Sequence, residues 1–364
     1  MVKRLLLLAL LALVASPLEG QAGRPLPAED GDVDDDGRVT PLDLFRVRAC
    51  AGAMAGESGC AAADLDADGD VDPRDLARVA RQMGLPVCNG SPVLCERRFD
   101  EVAYATTHNA FATLEQVYFP PANQTFTMTR QLEDGVRALM LDVWYVDTDR
   151  DGRVDGVFLC HTLPFCGNPR RSLAQGLGEI RDFLATHPGE VVTLLFESYV
   201  AAADVSAAFA ETGLLDLVHV HTGGAWPTLG DLIGRGERLV VLTDDRLSDA
   251  DRARFPWYHY LWDSLAFETP FSLTPEEYFV SGFTCEDLRG EPGNDLFILN
   301  HFLTRTIGHP SFAELVNFDP FFLERARECE AFHGRIPNFV TVDYYEIGDV
   351  FEVVAALNGL DDVR

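Results

Sequence analysis

From residue 96 to residue 360, short apolar runs alternate with stretches of helical periodicity, and this alternation limits the fold more than any other feature of the chain. Strands are predicted at Val102–Thr107, Val136–Val143, Val157–Cys160, Val191–Phe196, Leu239–Thr243, His259–Trp262, Leu296–Leu299 and Phe339–Val342. Helices are predicted at Ser172–Thr186, Ala202–Thr212, Ser311–Phe332 and Ile347–Asn358. Strands that alternate with helices pack as a covered parallel sheet, and eight of them predict an α/β fold, a (β/α)8 barrel of the TIM type. Uneven spacing of the early strands predicts a distorted barrel.

The composition narrows the function. The formal net charge is −29, and Lys3 is the only lysine. Nucleic acid demands basic patches that release counterions, so it is excluded as a partner. Electrostatic docking to anionic lipid is disfavoured for the same reason, leaving at most peripheral membrane contact. Schiff-base chemistry and a P-loop both need a lysine and are excluded.

Export is expected. Lys3 and Arg4 precede the apolar run Leu5–Ala15, and small residues around Ala22 suit cleavage, so residues 1–22 are predicted to be a signal peptide. The expected location is secreted, extracellular or periplasmic. Eight cysteines agree with an oxidising compartment, with neighbouring couples Cys50–Cys60, Cys88–Cys95 and Cys160–Cys166 leaving Cys285 for Cys329. No C-x-x-C pair exists to favour zinc.

Two acidic loops stand near the N-terminus. Asp32, Asp34, Asp36, Gly37, Thr40 and Asp43 occupy positions 1, 3, 5, 6, 9 and 12 of a twelve-residue calcium loop. Asp64, Asp66, Asp68, Gly69, Asp72 and Asp75 repeat the pattern, and an amphipathic stretch follows each loop. A third fragment, Asp147 to Phe158, lacks the final carboxylate and is read as an acidic turn. The tandem loops resemble the dockerin family over residues 29–84, which implies a small all-α module folded by Ca2+ and docking to a cohesin-like partner. A calcium-stabilised spacer is the other reading of the same module. Residues 85–95 are read as a linker.

Polar residues cluster where a barrel carries its chemistry, at the C-terminal strand ends. His108 and Asn109 follow the first predicted strand, Asp142 closes the second and His161 follows the third. Glu197 ends the fourth and Asp343 the eighth. A lone histidine of this kind is usually a paired structural group, but five strand ends in agreement are harder to explain that way. Imidazoles titrate near neutrality and suit acid–base work, while Asn109, Asp142 and Glu197 offer hard oxygens to Ca2+, with Mg2+ the alternative cation. A base, an acid and a cation are the equipment for phosphodiester cleavage.

The ordered motifs are Thr106-Thr107-His108-Asn109-Ala110-Phe111, Gln131-Leu132-Glu133-Asp134-Gly135-Val136-Arg137, Leu139-Met140-Leu141-Asp142-Val143-Trp144, Cys160-His161, Leu195-Phe196-Glu197 and Val342-Asp343-Tyr344-Tyr345. Together they resemble the X-domain of phosphatidylinositol-specific phospholipases C over residues 96–360. The resemblance implies His108 as general base, Asp343 as its orienting partner and His161 as general acid. It further implies Asn109, Asp142 and Glu197 as ligands of a catalytic Ca2+ and a phospholipid head group as substrate. Met140 stands where the calcium-dependent branch has a further ligand, and Arg246 is a poor match for the arginine that the metal-independent branch uses on the inositol ring. The head group therefore stays open, a non-inositol one included. A degenerate barrel that only binds a ligand or serves assembly is the alternative class.

Overall fold

The computed structural model describes residues 31–54, 59–116, 122–148, 151–161, 171–305 and 308–360. The predicted signal peptide and Cys166 lie outside the described residues. Ten strands are described: β1 (Tyr104–Thr107), β2 (Ala138–Val146), β3 (Gly156–Leu159), β4 (Arg171–Ser172), β5 (Val192–Ser198), β6 (Leu239–Thr243), β7 (Tyr258–Tyr260), β8 (Ala266–Glu268), β9 (Leu296–Asn300) and β10 (Phe339–Val342).

The wall of the barrel runs β7-β6-β5-β2-β1-β10-β9-β8, with every neighbouring pair parallel. No hydrogen-bonded pair joins β7 to β8 among the described residues, so the predicted barrel is curled but open along that seam. Two predicted elements differ from the structure. The run Val157–Cys160 forms β3, which returns antiparallel to β2 outside the wall, and its place in the wall is taken by the three-residue β8. The helix expected over Ser311–Phe332 is two helices, Pro310–Val316 and Phe321–His333, separated at Pro320, whose ring cannot sit in a helix interior.

Alternation along each strand sorts the side chains. Leu139, Leu141 and Val143 of β2, Leu194 and Phe196 of β5, Phe297 and Leu299 of β9, and Val340 and Val342 of β10 point outward into the core under the helices. Tyr104, Ala138, Leu195, Val240, Leu242, Ala266, Leu296, Ile298 and Phe339 fill the interior, which Phe99, Leu94, Trp226 and Leu229 plug from below. Continuing the period-two count upward places His108, Asp142, Glu197, Asp244, Glu268, Asn300 and Asp343 on the uppermost interior rung. The fold is therefore an apolar cup with a polar rim.

The segment read as a linker is fastened to the base of this cup. Cys88 is bonded to Cys95, and the Asn89 side chain exchanges hydrogen bonds with the Val191 backbone at 2.7 and 3.2 Å. The acidic module before it has helices α1 (Pro41–Cys50) and α2 (Pro73–Gln82) around a core of Val47, Ala63, Val71 and Val79. The Cys50–Cys60 and Cys285–Cys329 bridges form as the spacing suggested. Cys160 is also disulfide-bonded.

Candidate active site

The last interior rung surrounds an open cavity lined by His108, Met140, Asp142, Glu197, Asp244 and Arg289 among others. His108 follows β1. Its Nδ1 lies 2.9 Å from Asp343 Oδ1, and its ring stacks on Phe302 at 4.1 Å between centroids. Asp343, 3% exposed, also accepts both contacts of the Asn123 amide nitrogen at 3.1 Å. A carboxylate on Nδ1 holds the imidazole proton there, which leaves Nε2 as the basic nitrogen.

His161 arrives by the unexpected hairpin. Strand β2 continues beyond the wall to Val146, and β3 comes back along it, pairing Leu159 with Val143. The Cys160 N–H then donates to the Asp142 carbonyl at 2.9 Å, and His161 Nδ1 reaches Asp142 Oδ2 at 2.7 Å. The hydrogen bond to Asp142 raises the His161 pKa, against the opposing effect of burial. Burial pushes Asp142 up to about 6, while the His161 contact draws it back. This histidine is thus biased toward the protonated form, the state a general acid needs.

Asp142 and Glu197 are register partners on the adjacent strands β2 and β5, so their side chains stand side by side. Tyr199 donates its hydroxyl to Glu197 Oε1 and stacks on Trp144 at the rim. Asn109 has a positive φ of 46°, and its amide orientation tests whether a cation fits. With Asn123 committed to Asp343, Asn123 Oδ1 accepts from Asn109 Nδ2 at 3.3 Å, and the same nitrogen lies 3.2 Å from His108 Nε2. That orientation turns the Asn109 oxygen toward both Asp142 oxygens, at 3.2 and 3.3 Å. Turning the amide over would satisfy Asp142 but would set the Asn109 oxygen against Asn123 Oδ1 at 3.3 Å. Either way two acceptors face each other. A cation between the Asn109 and Asp142 oxygens removes the conflict, so the residues fit a hard divalent ion.

The tandem loops repeat one geometry. The Asp32 carboxylate accepts the N–H groups of Asp36 and Gly37, and Asp43 accepts those of Val33, Asp34 and Thr40. Asp64 and Asp75 act likewise in the second loop, through Gly69, Leu65, Asp66 and Asp72. Ligand-capable oxygens of Asp32, Asp34 and Asp36, of Asp64, Asp66 and Asp75, and of Asp68, Asp70 and Asp72 converge in three groups. Asp34 Oδ1, Asp64 Oδ1 and Asp66 Oδ1 are buried without a hydrogen-bond partner, and such orphaned oxygens fit Ca2+. The acidic turn at Asp147 reproduces the start of this geometry, with Gly152 N–H on Asp147 Oδ2 at 2.8 Å.

Neither Arg246 nor the motif residue Arg137 lines the cavity. Arg246 pairs with Asp263 at 2.6 Å on the surface, and Arg137, before β2, pairs with Glu190 at 2.7 Å. The arginine of the cavity is Arg289, which sequence reading passed over together with Asp244, Glu268, Asn300 and Asn123. Burial pushes Asp244 up to about 6, with the Ser198 N–H and Arg289 opposing.

Two stretches of the chain match known families. The family profile PI-PLC X 1 matches residues 94–358, and the Dockerin type I domain profile matches residues 30–84. A PI-PLC X domain-containing protein 1 of Arthroderma benhamiae is 31% identical over 305 residues, covering 75% of this chain and 90% of the relative. A PI-PLC X domain-containing protein of Arabidopsis thaliana is 28% identical over 298 residues, covering 75% of this chain and 64% of its own length. Among solved structures, the phosphatidylinositol-specific phospholipase C of Listeria monocytogenes superposes with a TM-score of 0.47 at 14% identity, over 73% of this chain and 96% of that one. The chain belongs to the PI-PLC X family, with a dockerin type I module ahead of the barrel.

Proposed function

We propose that the protein is a secreted, calcium-dependent phosphodiesterase of the phospholipase C type, cleaving the bond between glycerol oxygen and phosphorus in a phospholipid. Family membership supports phospholipase C-like phosphodiester chemistry in general. The observation that carries the finer reading is the pair of histidines at one barrel mouth, each held at Nδ1 by its own buried carboxylate, Asp343 for His108 and Asp142 for His161.

His108, with its proton kept on Nδ1, takes the proton of the attacking hydroxyl at Nε2. Asp343 stabilises the imidazolium that forms. As the new P–O bond forms and the bond to the diacylglycerol oxygen breaks, protonated His161 gives its proton to that departing oxygen. Asn109, Asp142 and Glu197 would hold the cation, and when bound it supplies charge stabilisation at the phosphoryl oxygens. In the orientation that faces its oxygen to Asp142, the Asn109 amide donates toward His108 Nε2, so the metal-ready amide also matches the basic tautomer.

In the module, the two loops bind structural Ca2+, and its surface is offered to a cohesin-like partner. Disulfides at Cys50–Cys60, Cys88–Cys95 and Cys285–Cys329 support an extracellular location.

The test is product analysis from mixed micelles of defined phospholipids. Diacylglycerol and a phosphorylated head group should appear with Ca2+ and cease in excess chelator. Phosphatidic acid plus free head group would place the cut on the wrong side of phosphorus, and no product from any phospholipid would leave a binding protein.

A further inference from the structure

Each carboxylate of the candidate cation site has one oxygen already engaged. Asp142 Oδ2 lies 2.7 Å from His161 Nδ1, and Glu197 Oε1 accepts from the Tyr199 hydroxyl. The first contact belongs to the acid–base pair. The second has no part in the two-histidine chemistry, yet several contacts hold it in place. Tyr199 N–H donates to the Val143 carbonyl at 3.0 Å, which fixes the backbone just past the end of β5. The Tyr199 ring then lies against Trp144, at 3.8 Å between centroids and 20° between planes. Trp144 is held in turn by the β2–β3 hairpin, where it faces its register partner Phe158. Tyr199 is 47% exposed, so water competes for its hydroxyl, and the stack limits the freedom with which the ring could turn away from Glu197.

Glu197 lines the cavity, and its Oε2 makes no hydrogen bond among the described residues. Asn109, Asp142 and Glu197 therefore each keep one oxygen for a cation. The number of oxygens that a carboxylate offers matters, because the two candidate ions differ in what they accept. Ca2+ has a large, loose shell and takes a carboxylate through one oxygen or both, whereas Mg2+ demands a tight octahedron and keeps several waters. We propose that Tyr199 is a positioning residue that holds Glu197 to ligation through one oxygen, and so sets the affinity and selectivity of the barrel cation site. By engaging Oε1, the phenol keeps coordination positions open to water and the substrate phosphate, and it weakens Ca2+ binding in doing so. A phenol donates and does not titrate near neutrality, so the restraint persists across the working pH range. This inference rests on the calcium-dependent reading of the barrel, but its test reads binding and does not need turnover.

The test is terbium luminescence of the full-length protein, excited through tryptophan and displaced by Ca2+ or by Mg2+. The tandem loops have no sensitiser of their own, because residues 29–84 contain neither tryptophan nor tyrosine, whereas Trp144 stands beside the barrel site. Tyr199→Phe keeps the ring and its stack and removes only the hydroxyl. The variant should melt with the wild type, bind Ca2+ about tenfold more tightly and bind Mg2+ within about twofold of it. Equal tightening of both ions would mean that the phenol only draws charge from Glu197. Weaker binding of both would mean that it only steers the carboxylate inward, and unchanged binding that it is inert. Each of these results overturns the proposal. In a Glu197→Gln background, Tyr199→Phe should shift neither affinity, since its effect passes through that carboxylate, and a selectivity shift there also overturns it. A wild-type signal that Ca2+ does not displace would overturn the calcium site of the barrel and this proposal with it, whereas a displaceable signal with unshifted selectivity counts against Tyr199 alone.

Discussion

Replacing Asp343 by asparagine changes one atom of a buried side chain and should nearly abolish turnover. Asp343 holds His108 Nδ1 at 2.9 Å and gathers the Asn123 amide at 3.1 Å, with 3% of its surface exposed. When His108 accepts the substrate proton, that contact becomes a hydrogen bond between opposite charges, worth roughly 1.5–3 kcal/mol. Its loss alone slows the reaction by about 10- to 150-fold. The asparagine amide can also donate to Nδ1, which moves the ring proton to Nε2 and removes the base. Tautomer loss of this kind carries the total toward about 10⁴-fold. The assay is kcat/KM on a soluble phosphodiester, with thermal unfolding of both proteins as the control. A folded Asp343→Asn protein within about fivefold of the wild type would refute the assignment of His108 as a base oriented by Asp343.

Other particular contacts carry their own consequences. At Gly308 a Cβ would stand 2.7 Å from Asp343 Oδ2 and 2.8 Å from Asn123 Nδ2, so Gly308→Ala should cut kcat by about 10²-fold through displacement of the base while a thermal melt stays close to wild type. His259 is buried against the His219 carbonyl and the His221 N–H, with His219 Nδ1 on Glu237, and burial depresses its pKa to about 4. A folded pKa below the unfolded value of about 6.5 means full stability above pH 6.5 and a loss of about 3 kcal/mol as the pH falls through 4. Urea midpoints at about pH 7 and pH 4.5 should therefore differ less in His259→Gln than in the wild type. Asp66 Oδ1 is a buried oxygen without a partner, so Ca2+ should raise the melting temperature of the module's transition, and Asp66→Ala should weaken that response without changing turnover.

Much of this site was legible because a strand leaves a period-two record. His108, Asp142, Glu197 and Asp343 stand where apolar runs end, and the same count continued along Val240-x-Leu242-x-Asp244, Ala266-x-Glu268 and Ile298-x-Asn300 reaches the rest of the rung. β8 escaped because three residues carry too little periodicity to announce a strand. β3 was misplaced because the predicted second strand stopped at Val143, leaving thirteen residues before Val157 and room for a crossover, whereas β2 runs on to Val146 and only nine residues separate it from Gly156, enough for a hairpin. Pro320 inside the predicted long helix was likewise a stop signal. Arg289 and Asn123 were not legible. Both act through contacts to residues remote in sequence, Arg289 through Asp244 and Trp262, Asn123 through Asp343.

The most direct test of the two-histidine centre compares the wild type with His108→Gln and His161→Gln on one phospholipid substrate in saturating Ca2+. Paired acid–base catalysis predicts folded variants that each lose about 10²–10⁴-fold in kcat. A substrate with an aryl leaving group, which needs no proton on departure, should rescue His161→Gln but not His108→Gln. Near wild-type turnover of the phospholipid by either variant would contradict the mechanism.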